Sequence, residues 1–283
     1  MNGVIHPVSL LSALTDWMRP VYEYDEARSI SIMIMEKKLG LTLKNIAFNA
    51  EYELSDNLIY DLNGLLKRIL KHEPVQYVLG EAYFYDRWFM VNKSVLIPRP
   101  ETEELCRLII KENPEKNFKV LDIGTGSGCI AIILASYLDC LQVHGWDISS
   151  EALQVAQKNA EKFGTDISFR KCNILVPTGD TGRFDIIVCN PPYVTQAESS
   201  GMRENVLDFE PHEALFVNSD PLEFHKAVLE KKENLLVPGG KFYFEINETS
   251  GESIKELMKT HLLKNIKVHK DIHGKNRFAS AKM

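Results

Sequence analysis

The stretch Phe118-Lys119-Val120-Leu121-Asp122-Ile123-Gly124-Thr125-Gly126-Ser127-Gly128 decides the fold. Its first half is an apolar run of strand length, and its second half alternates glycine with small polar residues. An apolar helix is predicted over 129–138, so the run reads strand, glycine loop, helix. Glycine lets the backbone turn sharply and approach a ligand closely, and a helix start offers free N–H groups. A second strand, 141–146, leads into Asp147, where a carboxylate can accept hydrogen bonds from ribose hydroxyls. Strand, loop, helix, strand and acid in that order point to an adenosine-type cofactor. Gly124, Thr125, Gly126, Ser127, Gly128 and Asp147 are its candidate contacts.

The spacing alone leaves the cofactor open. A dinucleotide fingerprint starting at Gly124 fails, because its third glycine would fall on Cys129. Starting at Gly126, the looser form ending in alanine is met by Gly126, Gly128 and Ala131. Asp122 and the extra Gly124 tip the balance. A carboxylate two residues before the loop repels a pyrophosphate and attracts a cationic ligand. With no GK[ST] triplet, a phosphate-cradling loop of the Walker type is excluded.

Downstream the alternation continues. A helix is expected over 151–163, capped by Ser149 or Ser150 and stopped at Gly164, then a strand over 167–171 and Cys172-Asn173. The next strand, 184–189, runs into Asn190-Pro191-Pro192-Tyr193. Two prolines end it and hold an extended turn. The Asn190 side-chain carbonyl and the Pro191 main-chain carbonyl then lie close together with the Tyr193 ring alongside, a group suited to a planar –NH2. Read without its context, the same tetrapeptide is a turn that ends a strand. Residues 195–220 read as irregular. A helix over 222–235, Pro238-Gly239-Gly240, a strand over 241–246, a helix over 252–263 and strands over 266–271 and 277–282 complete the chain. The whole is α/β, an open and largely parallel sheet with helices on both faces.

Residues 1–78 read differently, as a small helical bundle. Leu10, Leu11, Leu14 and Trp17 recur at helical spacing, 27–39 stops at Gly40, and Ser55 caps a third helix. Residues 79–97 are aromatic and strand-like, a β-hairpin joining the bundle to the α/β domain, 98–283. In 97–105 two prolines flank Arg99, and Glu101, Glu103 and Glu104 suit a first helical turn.

Composition bounds the rest. A net charge of −6 argues against a broad nucleic-acid-binding face. The five cysteines form no CxxC pair and the eight histidines no ligand cluster, so reduced thiols and no metal are expected. No apolar run approaches membrane-spanning length, and a cytoplasmic location with no membrane partner is expected.

These motifs together resemble the class I (Rossmann-like) methyltransferases that modify planar amino groups. Ile97-Pro98-Arg99-Pro100-Glu101-Thr102-Glu103 and Phe209-Glu210-Pro211 with Ala214-Leu215 narrow the resemblance to the HemK/PrmC family of protein-glutamine methyltransferases. It covers nearly the whole chain, helical domain and hairpin included. The resemblance implies S-adenosylmethionine as methyl donor, S-adenosylhomocysteine as product, and as substrate the GGQ glutamine of class 1 peptide-chain release factors. It implies a monomer with no stable nucleic-acid partner. Asn190, Pro191 and Tyr193 would be catalytic, with Pro192 beside them at the substrate. Arg99, Thr102, Asn173, Ile174 and Asn190 would join the loop and Asp147 around the cofactor. The sequence departs from the family pattern at Ile174, where an aromatic residue is usual, and at Asn218-Ser219-Asp220-Pro221-Leu222, usually Gly-Asp-Gly-Leu. The alternative is an amino methyltransferase of adenine or cytosine in nucleic acid, which shares the loop and the Asn190 turn. A nicotinamide oxidoreductase and a cofactor-binding module without turnover are further alternatives.

Overall fold

The structure, a computed structural model, describes residues 3–114, 116–179 and 182–283. The chain divides into two units, Met1–Gly80 with Glu204–Phe209 and Glu81–Arg203 with Glu210–Met283.

The smaller unit is built from amphipathic helices. α1 (Pro7–Met18) starts on a proline, which fits the first turn because its missing N–H would have no helical partner there. α2 (Tyr24–Leu39) has Asp25 and Glu26 in its first turn, Lys37 and Lys38 in its last, and Gly40 at φ 66° as a left-handed stop. α3 (Leu43–Phe48) is capped by Thr42, and α4 (Asp56–Ile69) by Ser55, whose hydroxyl accepts from Leu58 N at 3.3 Å. α5 (Val75–Leu79) follows. Leu14, Met18, Ile34, Met35, Leu66 and Ile69 fill the core between them. At roughly 1.5–3 kcal/mol for each fully buried side chain, this packing supplies most of what holds the unit together. A two-stranded antiparallel ladder, β1 (Gly3–Ile5) with β2 (Tyr52–Leu54), ties the chain start to the segment before α4. Three-residue strands leave too little periodicity to read from sequence.

In the larger unit the hairpin comes first, β3 (Glu81–Phe84) and β4 (Arg87–Met90), turning through Tyr85 and Asp86 at positive φ. Phe84 and Phe89 are fully buried among α6 (Pro100–Glu112), β5 (Lys116–Ile123) and α7 (Cys129–Tyr137), so the hairpin packs into the core of this unit. Then follow β6 (Asp139–Asp147), α8 (Ser150–Phe163), β7 (Ser168–Lys171), β8 (Phe184–Cys189), β9 (Val194–Thr195), α9 (Glu204–Phe209, assigned to the smaller unit), α10 (His212–Leu215) and β10 (Phe216–Val217). α11 (Glu223–Glu230), α12 (Lys232–Leu235), β11 (Leu236–Glu245), α13 (Gly251–Thr260), β12 (Lys264–Lys270) and β13 (Asn276–Lys282) complete it.

The central sheet has the order β12-β13-β11-β8-β5-β6-β7. β11, β8, β5, β6 and β7 are parallel, and β13 and β12 add antiparallel pairs at one side. This is the largely parallel α/β sheet expected. β5 and β8 are neighbours in register, with Ile123 opposite Cys189, so the glycine loop and Asn190 leave adjacent strand ends. Open α/β sheets bind ligands at these carboxyl ends.

Three local expectations change. The helix over 222–235 is interrupted at Lys231, whose φ of −96° and ψ of 5° leave the helical basin between α11 and α12. Pro238-Gly239-Gly240 is no loop before a strand but an irregularity inside β11, where the register to β8 shifts between Leu236 and Lys241. Within 195–220 the chain is partly ordered: β9 and β10 form a short parallel pair that ties the segment after Tyr193 to Phe216 and Val217.

Candidate active site

A cavity of about 530 Å³ opens at the carboxyl ends of β5, β6 and β8. Such a volume suits an organic ligand of cofactor size. Its wall brings together the sequence candidates Gly124, Thr125, Gly126, Ser127, Asp147, Asn173, Ile174, Asn190, Pro191, Pro192, Arg99 and Thr102. Gly128 and Tyr193 are not on that wall.

The loop is held from below and from one side. Gly124 N and Thr125 N donate to Trp146 O at 2.8 and 2.9 Å, and Gly126 N donates to Asp147 Oδ2 at 2.9 Å. Gly124 has φ 74°, and a Cβ there would lie 3.8 Å from the Asn190 carbonyl oxygen. The loop therefore runs directly beside the end of β8. Gly128 serves packing instead. A Cβ there would come within 3.1 Å of Ala156 Cβ, so this glycine lets α7 start close against α8. Gly145, to which the sequence alone gives no role, lies under the loop, where a Cβ would sit 2.7 Å from the Phe169 ring and 3.0 Å from Thr125 Oγ1.

Asp122 was expected to draw a cationic ligand by its charge. Its carboxylate is instead fully buried and absent from the cavity wall. Oδ2 accepts from Thr125 Oγ1 at 2.7 Å and from Ala131 N at 3.3 Å, while Oδ1 lacks a partner among the described residues. Its direct role is to hold the loop. Burial pushes this carboxyl up to about 7, opposed by those two hydrogen bonds. A carboxyl raised above its unfolded value keeps a proton in the folded state that the unfolded chain has released. Its contribution to stability is therefore full below the unfolded value of 3.8 and lost as pH rises through about 7. Urea unfolding of the parent and Asp122→Asn should show the parent losing stability relative to the variant across that window. A difference that does not change with pH contradicts this assignment.

Asp147 accepts from Ser149 N at 2.9 Å through Oδ1, besides Gly126 N through Oδ2. Burial raises its carboxyl above the usual range, against those hydrogen bonds, and Glu213 across the cavity adds to the rise. Asn173 Oδ1 caps its own turn by accepting from Leu175 N at 2.9 Å, and the buried Ile174 beside it offers an aliphatic wall in place of an aromatic ring. Arg99 donates to Glu210 Oε1 at 2.6 Å, and Ile97 N donates to the other Glu210 oxygen at 3.2 Å. The guanidinium on the wall is thus already paired with a buried carboxylate.

Asn190 stands on the cavity wall just past the end of β8. Its Nδ2 donates to Thr102 Oγ1 at 3.2 Å, and its Oδ1 takes no hydrogen bond among the described residues. The free atom is therefore the one that can accept. Tyr193 does not stand free: its hydroxyl donates to Glu245 Oε1 at 3.2 Å, and burial, then the Glu245 charge, raises it above the usual phenol range. Glu245 was missed in the sequence, where it reads only as the acid closing an apolar strand. Asn159 was missed too: its Oδ1 accepts from Met90 N at 2.7 Å, and its Nδ2 donates to Met90 O and Ser127 O, each at 2.9 Å. It ties the hairpin to the glycine loop. Among the described residues no cluster of metal-ligating side chains occurs, and no helix is long and apolar enough to cross a membrane.

Residues 114–279 match a methyltransferase domain family, and residues 13–80 match a PrmC N-terminal domain family. A release factor glutamine methyltransferase of Bacteroides thetaiotaomicron is 43% identical over 266 residues, covering 93% of this chain and 95% of that protein. One from Flavobacterium psychrophilum is 41% identical over 262 residues, covering 91% and 92%. The crystal structure of a methyltransferase from Pyrococcus furiosus shares the fold, with a TM-score of 0.52 at 21% identity over 78% of this chain and 98% of that one.

Proposed function

Because the chain belongs to the release factor glutamine methyltransferase family, we propose that it methylates the side-chain amide nitrogen of the GGQ glutamine in class 1 peptide-chain release factors, with S-adenosylmethionine as donor. The observation that carries this reading is the Asn190 amide on the cavity wall beside the glycine loop, whose nitrogen is committed to Thr102 while its oxygen takes no hydrogen bond among the described residues. Methylation of adenine or cytosine in nucleic acid is not favoured by the relatives, which are release factor enzymes by name.

The cavity fits the donor in kind. Asp147 would accept from the ribose hydroxyls, Ile174 would pack on the adenine, and Gly124, without a side chain, leaves room beside Asn190. When bound, S-adenosylmethionine supplies a methyl carbon on a sulfonium, already attached to a good leaving group. An amide nitrogen is a poor nucleophile because its lone pair is delocalised into the carbonyl. Asn190 Oδ1 and the Pro191 carbonyl accept its two N–H hydrogens, fix its plane and favour pyramidalisation as the new N–C bond forms and the C–S bond breaks. The displaced proton leaves the nitrogen afterwards to solvent, so no side chain need act as base. Orientation of two reactants in this way can lower a barrier by about 7–11 kcal/mol. The helical unit presents Phe48 and Tyr60 to solvent and serves to grip the folded factor.

The test offers labelled S-adenosylmethionine with a release factor, duplex DNA or ribosomal RNA. Label should enter the release factor alone, at the GGQ glutamine, and a Gln→Glu change there should stop it. A carboxylate has no N–H donors and brings negative charge against two acceptors. A GGQ peptide should be a poorer substrate than the whole factor. Label in DNA or RNA would overturn the reading.

A further inference from the structure

A buried polar chain stands behind Asn190. Glu245, at the end of β11, is 2% exposed and lies on the strand next to β8. Its Oε2 accepts from Thr102 Oγ1 at 2.8 Å and its Oε1 from Tyr193 at 3.2 Å. Thr102, itself buried on the first turn of α6, meets Asn190 Nδ2 at 3.2 Å. One carboxylate thus reaches both Tyr193 and, through one hydroxyl, Asn190.

The polarity of this chain is fixed by counting protons. An ionised carboxylate only accepts, so the single Thr102 hydroxyl proton points to Glu245. Thr102 can then meet Asn190 only as an acceptor, and the group it accepts from must be the amide nitrogen. Turned over, Asn190 would set its own –NH2 against the substrate –NH2, donor against donor. We propose that Glu245 is a positioning residue for methyl transfer, fixing through Thr102 which end of the Asn190 amide faces the substrate and holding Tyr193 by its hydroxyl. This rests on the glutamine methylation reading.

The surroundings make the device sensitive to pH. Burial pushes Glu245 up to about 7, opposed by Thr102, Arg277 and Tyr193, with Glu101 adding to the rise. Arg277 also pairs with Asp271 at 3.2 Å; His225, bonded to the Glu245 main-chain carbonyl at 2.9 Å, is held neutral by burial, as is the buried Cys106 thiol. Once protonated, Glu245 can donate to Thr102, which frees the Thr102 proton and with it the second orientation of Asn190. Methyl transfer should therefore rise with pH through about 7.

Glu245→Gln keeps the volume but can donate at any pH. Its kcat should fall roughly tenfold to a hundredfold, the worth of one hydrogen bond to a charged group, with the affinity for S-adenosylmethionine unchanged and the acid limb of the pH profile gone. Thr102→Val should fall as Glu245→Gln does, Thr102→Ser, which restores the hydroxyl, should recover rate that Thr102→Val loses, and the Thr102→Val/Glu245→Gln double variant should fall no further. A Glu245→Gln protein with the parent kcat and pH profile overturns the proposal, as does one that loses cofactor affinity in step with rate. A second readout needs no substrate. In protein labelled with ¹⁵N-asparagine, the Asn190 side-chain amide signal should titrate around pH 7 in the parent and not in Glu245→Gln. A parent signal that does not titrate overturns the positioning role even if release factor is methylated. A titrating signal with no methylation of release factor supports the Asn190 geometry and overturns the acceptor reading alone.

Discussion

Asn190→Ala should lower single-turnover methyl transfer by roughly two orders of magnitude or more, the scale on which removing one preorganised hydrogen-bonding group acts. The parent geometry says why the loss should fall on rate. Asn190 Nδ2 is spent on Thr102 and its Oδ1 takes no hydrogen bond among the described residues, so truncation removes an acceptor left for the substrate amide. The glycine loop is anchored to Trp146 and Asp147, not to the Asn190 side chain, so cofactor affinity should stay close to the parent's. Stopped-flow or quench measurement of one turnover, beside a binding titration of the same variant, separates the two. Near-parent transfer by Asn190→Ala would remove the central chemical claim.

Asp147→Ala should show the converse, a loss of cofactor affinity of roughly tenfold to a hundredfold, the worth of hydrogen bonds to a charged group. Two effects combine here. The carboxylate is the acceptor proposed for the ribose hydroxyls, and its oxygens also hold Gly126 N and Ser149 N. Truncation therefore removes a ligand contact and unpins one point of the loop. Asp147→Asn, which keeps one carbonyl acceptor, should fall between alanine and the parent. Titration calorimetry gives the comparison directly, and unchanged affinity in the alanine variant would place the ribose elsewhere.

The chemistry-bearing motifs were legible in the sequence because each is local. A glycine loop between a strand and a helix, an acid ending the next strand and Asn190 before two prolines all declare themselves within a few residues. Helix ends at Ser55, Gly40, Ser149 and Gly164 were legible for the same reason, since caps are written in adjacent residues. What sequence did not disclose is tertiary. Glu245 gains its meaning only when β11 pairs with β8 and α6 brings Thr102 over it. Gly145 matters because Phe169 and Thr125 arrive from other elements. Asp122 was read as facing a ligand, since spacing places a carboxylate near a loop but not on which side of the strand it turns. The irregularity in β11 was hidden by Pro238-Gly239-Gly240, residues whose ordinary use is to end a strand.

Asn159 carries one more implication. It exchanges two hydrogen bonds with the backbone of Met90 and a third with Ser127 O, so fraying of β4 and slackening of the loop draw on one side chain. Local opening of the hairpin must break the pair at Met90, and the amide that then swings free no longer steadies Ser127. Coupling of this kind is reciprocal. Whatever rigidifies the loop also lowers the frequency with which the hairpin opens, and so slows hydrogen exchange at Met90 N–H. The hairpin is thereby a gauge of occupancy in a site whose wall it does not form.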